Sequence, residues 1–180
     1  MNTLINNTRI CIDNLAQNVV QLLCGRNLCL CTAESCTGGL LSGAVTSVSG
    51  ASNVFGVGIC AYSNGIKEKT LCVKAETLEN YGAVSAECAA EMALGIRKIS
   101  GSEIGVSVTG IAGPEGGTPE KPVGTVFFAC SFENEVNILH LRIDAGCVTA
   151  GERRNYIRLE SVRQALILIQ NTICSRRRNY

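Results

Sequence analysis

The sequence predicts an α/β protein, a three-layer α/β/α sandwich with a mixed parallel and antiparallel sheet. Three observations predict it. Short apolar runs alternate with stretches of helical period over most of the chain. Two alternating segments then meet at Glu133-Asn134-Glu135, a hairpin signal that implies an antiparallel pair. A long amphipathic segment after Thr149 closes the pattern on a helix. No linker composition and no repeat divides the 180 residues. Residues 1–180 read as one domain, with an ordered core over about 7–174 and a basic tail over 175–180.

The elements follow in order. Apolar positions at Ile10, Leu15, Val19, Leu22 and Leu23 predict a helix from Asn7 to Cys24, closed by Gly25. Asn27 to Thr32 reads as a short buried strand, and Thr37 to Val48 as a helix that begins on Gly38 and Gly39. Glycine is a poor helix former, costing roughly 1 kcal/mol each against alanine. The pair therefore suggests a backbone left bare for a ligand or for close packing. Val54 to Ser63 is the second strand, and Asn64 to Leu71 and Ala75 to Tyr81 are short helices. Ser85 to Ile99 is a longer helix with Ser85 as N-cap and Gly101 as stop. Ile104 to Val108 is the third strand, Val123 to Phe132 and Val136 to Ile143 form the hairpin, and Thr149-Ala150-Gly151-Glu152 has the spacing of a capping box opening a helix to about Cys174.

Composition excludes several classes. Net charge is +1, which gives no field for nucleic acid or an anionic membrane, and Arg176-Arg177-Arg178 reads as a solvated tail. No apolar stretch approaches the roughly 20 residues needed to span a bilayer. The start Met1-Asn2-Thr3-Leu4-Ile5-Asn6-Asn7 lacks the pattern of a signal peptide, so a cytoplasmic protein is expected. The eleven cysteines include no CxxC pair, and Cys29 and Cys31 find no partners for a zinc site, so no metal is expected. Cys24, Cys60, Cys72, Cys88 and Cys130 sit in apolar runs and read as reduced core filler.

Three strand ends carry polar, glycine-bearing sequences: Glu34 to Gly39, Tyr62 to Lys67, and Thr109 to Thr118. In open α/β sheets, ligands gather at such ends. Ser35 stands where a strand hands over to a helix, the place for an exposed nucleophile beside free N–H groups. The lone histidine, His140, lies in the apolar run Ile138-Leu139-His140-Leu141 and reads as a strand residue. Lys67 is the better base, whereas Lys69 and Lys74 lack its loop context. To act it must be neutral, which takes roughly 4 kcal/mol of desolvation and neighbouring-charge effects. Cys36 is a rival nucleophile, Thr37 is either an N-cap or a ligand group, and Glu34 orients Lys67 or a substrate amide.

Five ordered motifs carry a family resemblance: Ala33-Glu34-Ser35-Cys36-Thr37-Gly38-Gly39, Ala61-Tyr62-Ser63-Asn64 with Lys67, Tyr81-Gly82-Ala83-Val84-Ser85, Val108-Thr109-Gly110-Ile111-Ala112-Gly113-Pro114, and Lys121-Pro122-Val123-Gly124-Thr125-Val126. Together they resemble the CinA C-terminal domain family from about Asn7 to Ile173. That family includes nicotinamide-nucleotide amidases, which hydrolyse the carboxamide of nicotinamide mononucleotide to the acid and ammonia. The resemblance implies an α/β/α sandwich, no cofactor, and a homodimer or larger homo-oligomer. It makes Ser35 the nucleophile and Lys67 its base, with Tyr62 beside them. Ser52, Thr109, Asn64, Glu34, Thr37, Gly38 and Gly39 fall at matching positions around the substrate, with Ser52 kept where the family often has two serines. An arginine near the last helix also belongs to the family site. In Gly151-Glu152-Arg153-Arg154 the spacing is one residue longer than usual, so Arg154 is preferred and Arg153 is the alternative. Arg154, Thr118 and glycine-loop N–H groups are candidate phosphate donors. Two other readings stand beside the serine amidase: a nucleotide-binding regulatory or scaffold module without turnover, and a Cys36 thiol amidase.

Overall fold

The computed structural model of the protein describes residues 3–175, and the basic run Arg176–Arg178 lies outside the described residues. Five strands, β1 (Leu30–Glu34), β2 (Phe55–Cys60), β3 (Ile104–Gly110), β4 (Thr125–Phe132) and β5 (Glu135–Arg142), form one sheet. Their spatial order is β2-β1-β3-β4-β5. β1 pairs in parallel with β2 and β3, while β3–β4 and β4–β5 are antiparallel, so the sheet is mixed. The described helices are α1 (Thr3–Arg26), α2 (Leu40–Thr46), α3 (Asn64–Leu71), α4 (Ala75–Asn80), α5 (Ala86–Ser100) and α6 (Arg153–Cys174). α1, α2 and α6 pack together on one face, and α5 with α3 and α4 lies on the other. This is the three-layer α/β/α sandwich that the alternation of runs predicts. No described helix is long and apolar enough to cross a membrane.

Strand periodicity sorts the core into two layers. Leu30 of β1, Ile104, Val106 and Val108 of β3, and Val126, Phe128 and Cys130 of β4 face the α1–α2–α6 side. The intervening residues Cys31 and Ala33, Gly105 and Ser107, and Ala129 face α5. That second face is made of small residues, and α5 lies close on it. A Cβ on Gly105 would stand 2.3 Å from the backbone oxygen of Ala93 in α5, which cannot swing aside. Gly105→Ala is therefore expected to lower unfolding free energy by about 1–3 kcal/mol, read as a lower urea midpoint at unchanged m-value.

The caps follow the sequence closely. Ser85 Oγ accepts from Cys88 N at 3.2 Å, Gly101 ends α5 at φ 69°, and Thr149 with Glu152 forms the capping box ahead of α6. Three boundaries differ for identifiable reasons. α1 runs through Gly25 and stops at Asn27, which takes φ 52°. Leu28 N then donates to Leu23 O at 3.1 Å and Asn27 N to Cys24 O at 3.3 Å, a Schellman cap built on asparagine. That cap displaces β1 to Leu30–Glu34, so the strand delivers Ser35 directly. Gly38 and Gly39 are not helical: their φ values of 60° and 91° make a left-handed turn, and α2 begins at Leu40.

The cysteine expectation is corrected in part. All eleven thiols are free; Cys88 and Cys130 are buried as core filler, but Cys24, Cys60 and Cys72 are exposed. Cys60 ends the edge strand β2, and Cys72 is the left-handed cap of α3, positions that face solvent despite apolar neighbours in sequence.

Candidate active site

The turn after β1 is held from below by Glu34. Ser35 N continues the β1–β3 pairing by donating to Val108 O at 2.9 Å, and Gly38 N closes the turn onto Ser35 O at 3.1 Å. The Glu34 carboxylate is fully buried. Its Oε2 accepts from Gly39 N and Leu41 N, both at 3.0 Å, and its Oε1 accepts from Ser42 N at 2.8 Å and Ser42 Oγ at 2.5 Å. A carboxylate there satisfies the first N–H groups of α2 and meets the positive end of its dipole. Glu34 thus neither touches Lys67 nor lines the cleft described below; its acceptors are spent on the backbone. Glu34→Ala is expected to cost about 2–4 kcal/mol in stability by urea unfolding, because four donors lose a buried charged acceptor.

Lys67 sits in the first turns of α3, whose N-cap Ser63 accepts from Ile66 N at 3.4 Å. Its side chain is 1% exposed, which puts it among the largest fully buried side chains of the described residues. Nζ stands 3.2 Å from Ser35 Oγ, 2.9 Å from Ala61 O and 3.4 Å from Tyr62 O. Burial pushes the pKa of this amine below its ordinary value. A neutral amine has two N–H bonds and one lone pair. With the two carbonyls taking the N–H bonds, the lone pair is left for the Ser35 hydroxyl proton, which is the arrangement a general base needs.

Ser35 and Lys67 open into a cleft of 280 Å³ at the C-terminal ends of β1 and β3. Tyr62, Asn64, Thr109 and Arg154 line it, together with Gly110 to Gly113, Glu115 and Gly116. Thr109 Oγ1 donates to Ala83 O at 2.7 Å, which fixes the β3 end against the segment before α5. Arg154 Nη2 donates to the Tyr62 hydroxyl at 3.1 Å, and its Nη1 donates to Gly113 O. Arg153 faces a separate cavity of 620 Å³ with Arg142 and Asp144, so it is Arg154 that meets the cleft. The larger cavity contains neither member of the serine–lysine pair.

Several expected residues lie elsewhere. Gly38 and Gly39 shape the turn without lining the cleft, and Thr37 is fully buried with no partner for its hydroxyl. Ser52 is exposed beside a different hollow, with Thr46 and Phe55. Thr118 makes a turn with Lys121, whose N–H donates to its hydroxyl at 3.0 Å. His140 stacks on Phe127 at 4.1 Å, out on β5. Cys36 does line the cleft, but it is only 5% exposed, and burial pushes its thiol up to about 12, which suppresses the thiolate. The helix that was to lower it begins only at Leu40. Cys36→Ala should therefore retain turnover within about threefold, whereas a thiol nucleophile would lose it entirely. No cluster of three or more His, Cys, Asp or Glu side chains gathers among the described residues.

Sequence reasoning missed Arg158. Its Nε donates to Cys36 O at 3.1 Å and its Nη2 to Thr37 O at 2.9 Å. The available signal was its spacing, one helical turn after Arg154 on the same face of α6.

The chain matches the family model described as the CinA C-terminal domain over residues 12–173. A CinA-like protein from Kosmotoga olearia is 47% identical over 155 residues, covering 86% of this chain and 38% of the relative. A CinA-like protein from Thermotoga maritima is 45% identical over 166 residues, covering 92% of this chain and 39% of the relative. The chain thus spans about two fifths of the length of these curated relatives. Among solved structures, a competence/damage inducible protein from Agrobacterium tumefaciens superposes with a TM-score of 0.83 at 41% identity, covering 89% of this chain and 94% of that one. The competence damage-inducible protein A from Klebsiella pneumoniae gives a TM-score of 0.85 at 32% identity, covering 92% and 99%.

Proposed function

We propose an amidase, and the premise is that this chain belongs to the CinA C-terminal domain family. The reaction is hydrolysis of the carboxamide of nicotinamide mononucleotide to nicotinic acid mononucleotide and ammonia. The observation that carries the reading is the buried Lys67 amine 3.2 Å from Ser35 Oγ, with two carbonyls holding its remaining hydrogens.

Lys67 takes the Ser35 proton as Oγ bonds to the carboxamide carbon. The turn offers N–H groups for the developing oxyanion, but not all of them. Gly38 N is spent on Ser35 O and Gly39 N on Glu34, and Thr37 is fully buried outside the cleft, which leaves that of Cys36, a residue that lines it. One such donor is worth about 10²–10³ in rate. Lys67 returns the proton to the departing nitrogen, the C–N bond breaks and ammonia leaves. Water then attacks the Ser35 ester, giving up a proton through Lys67, and releases the acid. Arg154 at the cleft is the cation for the substrate phosphate, and Tyr62, to which it donates, borders the reacting group. No step draws on a metal or cofactor. The enzyme is cytoplasmic and works as a homodimer or larger assembly in this reading.

The test is ammonia and acid production from nicotinamide mononucleotide by the purified protein. Saturable binding of the nucleotide without ammonia would favour a non-catalytic binding module instead.

A further inference from the structure

We propose that Arg158 is a positioning residue for this chemistry: its guanidinium fork, holding the carbonyls of Cys36 and Thr37, sets the nucleophile turn so that the Cys36 N–H meets the reacting oxygen. The proposal rests on the serine–lysine reading above.

The turn after β1 is anchored on both sides by side chains of opposite charge. Glu34 takes the N–H groups of Gly39, Leu41 and Ser42, all on the α2 side of the turn. Arg158 takes the two carbonyls on the nucleophile side, Cys36 O at 3.1 Å and Thr37 O at 2.9 Å. In a trans peptide the C=O and the following N–H point in opposite directions. Fixing Cys36 O toward α6 therefore turns the Thr37 N–H away from α6. Fixing Thr37 O does the same for the Gly38 N–H, which closes on Ser35 O at 3.1 Å and so sets the Ser35–Cys36 peptide, whose Cys36 end lines the cleft.

The fit leaves little freedom. A Cβ on Gly38 would stand 3.3 Å from Arg158 Nη2, so the bare backbone of the turn is where the guanidinium seats. Gly38 at φ 60° also needs a residue tolerant of the left-handed region, so Gly38 meets two demands at once. Arginine suits the position because its planar fork offers parallel donors to two acceptors, where lysine offers a point charge. Arg158 and Arg154 are one helical turn apart, so α6 ties together the nucleophile turn, Tyr62 and Gly113 through one face. Arg158 itself does not line the cleft and is not expected to touch substrate.

The experiment measures the second-order rate at which a fluorophosphonate labels Ser35, across pH, in wild type, Arg158→Lys and Arg158→Gln. Labelling forms the Ser35 Oγ–P bond, expels fluoride, moves the hydroxyl proton to Lys67, and builds negative charge on the phosphoryl oxygen. It thus reports the oxyanion donors whatever the natural substrate. The expected result is a plateau rate at least tenfold lower in Arg158→Gln and partly restored in Arg158→Lys, with the pH midpoint unchanged because Lys67 keeps its surroundings. Loss of packing alone would move that midpoint together with the rate. Equal plateau rates in wild type and a folded Arg158→Gln protein would overturn the positioning role while leaving the serine–lysine pair standing. Should Arg158→Gln not fold, Arg158→Lys decides alone: wild-type rates overturn the proposal, and a lowered plateau at an unchanged midpoint supports it. A wild-type protein that does not label at Ser35 at all would instead remove the nucleophile itself, and the proposal with it.

Discussion

Ser35→Ala is expected to abolish turnover of nicotinamide mononucleotide, by at least about 10⁴-fold, while nucleotide binding and the thermal midpoint stay close to wild type. The size follows from the role: Ser35 is the hydroxyl in the site that has the buried Lys67 amine beside it. Cys36 is buried with its thiol pushed up to about 12, and Thr109 donates its hydroxyl proton to Ala83 O. The stability expectation follows from the contacts. Ser35 is held through its backbone by Val108 O, a bond that alanine keeps. Isothermal titration of the nucleotide into the variant, beside an ammonia assay, reads both halves of the expectation.

Lys67→Met is expected to lower turnover by about 10²–10⁴-fold, with the wild-type rate following the ionisation of this one amine. The sign is fixed by its burial. A pKa lowered from 10.5 means that Lys67 is protonated, and inactive as a base, below the shifted value and neutral above it. The rate therefore rises with pH to a plateau, with a midpoint below 10.5. Stability moves the same way. Between the shifted value and 10.5 the unfolded chain binds more protons than the folded one, so unfolding free energy climbs with pH across that window; below it, Lys67 imposes a constant penalty. In Lys67→Met that rise disappears, which chemical denaturation at several pH values measures.

The serine and lysine were legible because residue type and strand-end placement point the same way. The turn after β1 and the first turns of α3 both lie where a parallel sheet gathers ligands. Glu34 was misread for a specific reason. A carboxylate beside a nucleophile looks like a substrate ligand until the turn at Gly38 and Gly39 moves the start of α2 to Leu40 and brings three N–H groups onto it. The same shift removed the argument for Cys36. Arg153 and Arg154 could not be told apart by counting, since the choice depends on how the turn Ala150–Glu152 feeds α6. The spacing of Arg158 from Arg154 gave its helix face but not its role, because what it holds are backbone carbonyls, which no side-chain pattern records. The exposed Cys60 and Cys72 show the same limit: apolar neighbours in sequence do not place a residue inside when it ends an edge strand or caps a helix.

The most direct measurement of the central claim is ammonia release from nicotinamide mononucleotide by wild type, Ser35→Ala and Lys67→Met, run side by side. The account predicts release by wild type alone, with nucleotide acid formed in equal amount. Release by Ser35→Ala at the wild-type rate, or none by a folded wild-type protein that binds the nucleotide, would contradict it.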